Sequence, residues 1–163
     1  MNKKKNYAVI DIEGITLWLD GEDQKPHNCL RKVAVLLSSN EHTVFEAHPC
    51  VPYANLTNQE IKTYEYCYEH IHHLDYYPPE SYQPFIKCVN VPEIIKDYLD
   101  FNKISMVYYK GGCLEKNLCA KIGFECFNLE KIGVPKAPDH DPLSEVKFYK
   151  REFERITKGE GLT

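Results

Sequence analysis

No hydrophobic run in this sequence is long enough to cross a bilayer. The longest aliphatic run is Val33 to Leu37, against the roughly 20 residues a spanning helix needs, so no membrane partner is expected. Residues 2–6, NKKKN, lack the apolar h-region of a signal peptide, and no secretory leader is expected. CxxC spacing is missing too. The seven cysteines are Cys29, Cys50, Cys67, Cys88, Cys113, Cys119 and Cys126; their odd number and wide spacing predict free thiols in a reducing, intracellular compartment, cytoplasmic or nuclear. An excess of basic charge is absent: 20 Lys and Arg against 24 Asp and Glu give a net charge of −4. That argues against a general polyanion binder held by bulk electrostatics, but not against an enzyme that meets phosphate through bound metal. The pair Gly111-Gly112 is too short for a nucleotide-binding loop, and Cys113 has no evident base partner to make it a nucleophile. Internal repeats and low-complexity segments are also missing.

What is present fits one domain over residues 1–163, with residues 1–6 and 157–163 frayed. Tyr7, Ala8, Val9, Ile10 and Ile12 form a near-continuous apolar run, as in a central strand covered on both faces. Residues 14–28 read as a turn region. Residues 29–38 and 43–48 read as two further strands around the polar turn SNEH. Thr57-Asn-Gln-Glu60 is a capping box opening a helix to about Leu74, with Ile61, Tyr64, Tyr68 and Ile71 on one stripe. Residues 75–88 read as loop, and Asn90-Val-Pro-Glu93 starts a helix to about Phe101. Strands over 104–109 and 124–129 flank a helix over 113–122, and residues 131–140 form a Pro-containing loop. Asp141 then caps a last helix with Pro142 in its first turn and Leu143, Val146, Tyr149, Phe153 and Ile156 on its buried face. Three strands followed by alternating α and β segments give an α/β fold: a mixed sheet, meander first, with helices on its faces.

The first strand ends on two acids, Asp11 and Glu13. With a period of two they share one side, their Cα atoms roughly 6.5–7 Å apart. Two like charges on a buried strand are costly unless something neutralises them, and a divalent cation does so most simply. Glu115 lies in the first turn of a helix, where the dipole alone also favours an acid, and Glu145 has the same alternative. His140 precedes the last helix.

Taken in order, Asp11-x-Glu13, an acid (Glu115) in the helix after VYYKGGC, and His140 with Glu145 five residues later resemble the histidine-containing DEDD 3′–5′ exonucleases of the ribonuclease H-like fold. The resemblance spans residues 7–156. It departs from the family at Glu115 and Glu145, where the pattern has Asp, and at Lys110-Gly111-Gly112, which replaces an HN-type turn. An extra methylene moves a carboxylate by about 1.5 Å, while catalytic constellations tolerate about 0.5 Å of misplacement; glutamate nevertheless remains a hard oxygen ligand.

The resemblance implies two Mg²⁺ or Mn²⁺ ions. Asp11 would bridge them, Glu13 and Glu145 would complete one shell, and Glu115 would hold the other ion through water. His140 would act as the base on the attacking water. It implies phosphodiester hydrolysis at the 3′ end of single-stranded RNA or DNA. The alternative is a catalytically degenerate exonuclease-like domain that binds nucleic acid or protein; the Glu-for-Asp changes and the net negative charge favour it.

Three lesser candidates remain. Cys67 and His70 could form half of a zinc site, but no second pair has matching spacing. Tyrosines in 64–82 could stack on unpaired bases or simply pack in the core. Lys147, Lys150, Arg151 and Arg155 could meet phosphate or form a solvated face with Glu152 and Glu154.

Overall fold

Apolar residues at both parities of the first strand demand cover on both faces, and the sheet supplies it. The computed structural model describes residues 6–17, 27–80 and 85–159. Its five strands are β1 (Tyr7–Leu17), β2 (His27–Leu37), β3 (His42–Glu46), β4 (Met106–Tyr109) and β5 (Cys126–Asn128). They are ordered β3-β2-β1-β4-β5. The β1–β2 and β2–β3 pairs are antiparallel, whereas β4 joins β1 and β5 joins β4 in parallel. The helices are α1 (Asn58–Cys67), α2 (Val91–Phe101), α3 (Cys113–Ile122) and α4 (Pro142–Thr157).

Ala8, Ile10 and Ile12 point into one core layer with Tyr64 of α1, Ile95 and Leu99 of α2, and Leu118 and Ile122 of α3. Val9 points into the other, with Ala34 and Leu36 of β2 and Val146 and Tyr149 of α4. Asp11 and Glu13 share the parity of Val9 and so face α4.

Local chemistry accounts for the helix starts. The Thr57–Glu60 capping box is fully formed, a device worth about 1 kcal/mol. The Asp141 side chain accepts from the Ser144 N–H at 3.1 Å and pairs with the Lys32 ammonium at 2.9 Å. Because Lys32 lies opposite Glu13 in the β1–β2 ladder, this ion pair fixes the first turn of α4 above the acidic end of β1.

The structure corrects several sequence expectations. β1 continues to Leu17 and β2 begins at His27, so parts of the 14–28 turn region are strand; residues 18–26 lie outside the described residues. The long hairpin is possible because the register shifts between Glu13 and Gly14: Glu13 opposes Lys32 but Gly14 opposes Leu30, leaving Arg31 as a bulged extra residue. The helix expected to reach Leu74 keeps α-winding only to Cys67, then takes a π-wound turn over Tyr68–His72 and stops at His73 in the left-handed region (φ 54°). Wider winding rotates the stripe, so Tyr68 and Ile71 are exposed and His72 is buried instead. β4 and β5 are shorter than expected because the ladder needs only four and three of their residues.

The free-thiol expectation also fails for four cysteines. Cys50 pairs with Cys88 and Cys119 with Cys126 as disulfides, each with Cα atoms 6.2 Å apart. Tertiary structure makes both contacts: a backbone bridge joins His48 to Lys87, and α3 turns back at Gly123 into β5. Cys67 is a free, buried thiol. Among the described residues no helix is long and apolar enough to cross a membrane.

Candidate active site

β4 is the element that builds the site. It ends at Tyr109, opposite Ile10 of β1, so beyond that row β1 has no strand neighbour on the β4 side. The chain turns through Lys110-Gly111-Gly112 and enters α3, and the Glu115 carboxylate takes the vacated place, its Oε1 accepting from the Ile12 N–H at 3.4 Å. Gly111 adopts φ +138°, a conformation that favours glycine, and a Cβ there would stand 3.3 Å from Glu115 Oε2, a tight contact that the carboxylate would have to yield to by a few tenths of an ångström. The Asn128 side-chain amide donates to the Gly111 carbonyl at 3.3 Å and holds the turn.

Asp11, Glu13, Glu115 and Glu145 line one cleft of about 410 Å³, together with Lys110, Lys136 and Tyr149. Asp11, Glu115 and Glu145 are all about 95% buried. Ligand atoms of Glu13, His140 and Glu145 lie within 4.8 Å of one another. The five residues singled out from the sequence thus come together from β1, α3, the loop before α4, and α4. Cys67 and His70 do not: His70 is exposed, and no Cys/His cluster of metal-binding size occurs among the described residues.

Sequence reasoning missed Tyr149 as anything but core. Its hydroxyl donates to Glu145 Oε1 at 3.1 Å and accepts from the Ala137 N–H at 3.5 Å, fixing the carboxylate from one turn away. The i,i+4 spacing of Glu145 and Tyr149 was the available signal. Lys110, held by Glu130 at 2.9 Å, and Lys136 were also missed; both are rim residues of the cleft.

Electrostatics follow from crowding acids in a dry place. Burial, then the charges of Glu145 and Glu115, lift the Asp11 carboxyl well above its usual range. Burial and Glu145 raise Glu13 to about 8. Burial raises Glu115 to about 7, opposed by its own and the Ile12 backbone N–H and aided by Glu145. Burial and Glu145 likewise raise Tyr149.

A raised pKa means the folded state holds the proton more tightly than the unfolded chain. Its stabilisation is complete below the unfolded value and is lost as pH rises through the folded one. His72, lowered to about 4 by burial and Arg31, works in the opposite direction, but an unfolded-state imidazole is already half neutral at about pH 6.5 and loses its remaining charge within about one unit, so it offsets only a few tenths of a kcal/mol. Between about pH 6.5 and 8.5 the metal-free protein is therefore expected to lose on the order of 3 kcal/mol of stability. Urea unfolding in EDTA across that window checks this; a flat profile would contradict the electrostatics described.

The donor set fits a divalent cation. Asp11 Oδ2 and Glu145 Oε2 are buried with no hydrogen-bond partner among the described residues, a state that costs free energy unless an ion or proton satisfies it. Carboxylate oxygens and one imidazole suit Mg²⁺ and, better, Mn²⁺.

No family model matches this chain, and no curated protein does. Among solved structures it is similar to a 3′-exonuclease described in connection with 3′-end-specific recognition of the histone mRNA stem-loop, at TM-score 0.55 and 12% identity. That overlap covers 95% of this chain and 64% of the exonuclease chain, so the present chain spans a little under two thirds of that protein. A family B DNA polymerase from the hyperthermophilic archaeon Pyrobaculum calidifontis overlaps at TM-score 0.36 and 14% identity, covering 87% of this chain and 13% of that one. That overlap is too loose to bear on the fold. The first likeness is one of fold.

Proposed function

We propose that this chain is a metal-dependent 3′–5′ exonuclease that hydrolyses phosphodiester bonds at the 3′ end of single-stranded RNA or DNA. One observation carries the reading: four carboxyl side chains from three elements meet in one cleft, two of them with buried oxygens that have no hydrogen-bond partner among the described residues.

Asp11, Glu13 and Glu145 would hold one divalent ion, and Asp11 with Glu115 a second. When bound, such ions place positive charge beside the scissile phosphate and the attacking water. His140, beside Glu13 and Glu145 on the loop before α4, would take the proton from that water through a ring nitrogen; an ordinary imidazole pKa near 6.5 suits that task. Tyr149 orients Glu145 by its hydroxyl. Gly111 leaves room for the longer Glu115 side chain, which bears on how a glutamate serves where the family pattern has aspartate. Lys110 and Lys136 would face substrate phosphate from the rim.

The binding-module alternative has support of its own: with Glu13 raised to about 8 and Glu115 to about 7, the cluster persists at neutral pH by sharing protons. An assay on 5′-labelled single-stranded RNA and DNA, in Mn²⁺, Mg²⁺ or EDTA, separates the two. The expected result is a 3′-shortening ladder that requires metal. Intact substrate in every lane would give the binding module the lead.

A further inference from the structure

A groove lies beyond the same end of the sheet as the acids, since Glu13 opposes Lys32 and Lys32 opposes Glu46, two residues before His48. After β3 the chain runs through His48 and Pro49 alongside Phe85–Val89. The His48 N–H donates to the Ile86 carbonyl at 2.8 Å, the Cys88 N–H donates to the His48 carbonyl at 3.0 Å, and the Cys50–Cys88 disulfide closes the pair. These ties make a fixed groove of about 350 Å³ whose lining includes His48, Pro49, Tyr77, Phe85, Lys87 and Val89. Such a groove would ordinarily shelter its rings, yet Phe85 is 60% exposed and Tyr77 44%. The His48 and Phe85 rings lie 4.0 Å apart and 32° from parallel, so two tilted rings already stand together in the groove and the Phe85 ring is largely exposed.

Two features say what fits it. Lys87 is exposed and has no ion pair among the described residues, so the groove offers an uncompensated cation beside stacked rings. The rings are also continuous with the helix that packs on β1: Tyr64 of α1 meets Tyr76 at 5.4 Å, Tyr76 meets Tyr77 at 5.0 Å, and Tyr77 meets His48 at 6.0 Å. Open aromatic faces with a neighbouring cation are how single-stranded nucleic acid is held without sequence readout, the rings taking bases and the cation phosphate. We infer that the His48–Phe85 groove stacks an unpaired base of a single-stranded substrate, upstream of the 3′ nucleotide held in the carboxylate cleft, with Lys87 on the adjoining phosphate. This rests on the nuclease reading and narrows it, since a base engaged in a duplex could not enter the groove.

The test measures fluorescence anisotropy of the full chain in EDTA, with an oligouridylate decamer and a base-free ribose-phosphate decamer. Cleavage of a uridylate dinucleotide in Mn²⁺ is followed separately. The base-bearing decamer should bind about tenfold more tightly than the base-free one, and Phe85→Ala or His48→Ala should erase that difference. Lys87→Ala should weaken both decamers and flatten their salt dependence. Dinucleotide cleavage should be unchanged in all three variants, which also shows that they fold. Decamer binding unaffected by Phe85→Ala, or a groove that takes proline-rich peptide and not base, would overturn the inference even if the dinucleotide is cleaved. Base-dependent binding with no dinucleotide cleavage would uphold the groove and overturn the nuclease reading instead.

Discussion

Asp11→Asn should lower metal-dependent trimming by about 10³-fold or more while making the metal-free protein more stable. The two effects have one origin. Asp11 sits at the centre of the acidic cluster, 4% exposed, lifted by burial and by the charges of Glu145, Glu115 and Glu13. In the proposed enzyme Asp11 would help hold the cations, and an amide would offer at most one weak ligand atom in its place, so the charge stabilisation they would supply to the transition state would be lost. Without metal the same carboxylate is a liability. Replacing it by a neutral amide removes a like charge from a dry pocket and presents a donor to the orphaned oxygen of Glu145. A gain of about 2 kcal/mol, or roughly 5 °C in melting temperature, is expected near pH 8 in EDTA. Thermal melts with and without Mn²⁺, run beside the trimming assay, check both. A variant that is destabilised in EDTA would show that Asp11 is held by contacts other than those described.

The largest expected effect on folding comes from Arg31. This residue is the bulged extra position of β2, 1% exposed, with its guanidinium on Glu46 at 3.0 Å and on the Asp75 carbonyl at 3.0 Å. Arg31→Met strands the buried Glu46 carboxylate and a carbonyl, and removing one partner of such a pair costs about 3–5 kcal/mol. For a chain of this size that is a fall of roughly 10 °C or more in melting temperature. The double variant Arg31→Met, Glu46→Leu should recover most of the loss, because an apolar pair no longer leaves a charge unpaired. If the single variant melts like the wild type, the pair is not the anchor of the bulge.

That bulge also shows where sequence reasoning stops. The apolar run of β1, the Thr57 capping box and the Asp141-Pro142 start of α4 are local signals, and each element begins where its signal stands. Asp11 and Glu13 were legible as an unusual pair because alternation and burial conflict within seven residues. Other features depended on partners distant in sequence. Gly14 gives no sign that Arg31 will be squeezed out opposite it, and the π-wound turn that buries His72 depends on what packs beneath it. The cysteine pairs lie 38 and 7 residues apart, and neither spacing is a motif. Within the candidate site, Glu145 and Glu115 each had a bland alternative as helix-start acids. Burial weakens that alternative, since the dipole alone does not require an acid to leave water.

The central claim is that the cleft of Asp11, Glu13, Glu115 and Glu145 holds divalent cations, and direct Mn²⁺ titration of the full chain by calorimetry near pH 7.5 tests it most plainly. About two Mn²⁺ per chain are expected to bind saturably. Proton release should accompany binding, visible as a heat that changes with the buffer, because Glu13 at about 8 must give up its proton to become a ligand. Asp11→Asn should abolish the saturable phase. A wild-type chain that shows only the weak, unsaturable heat of the Asp11→Asn variant would contradict the account.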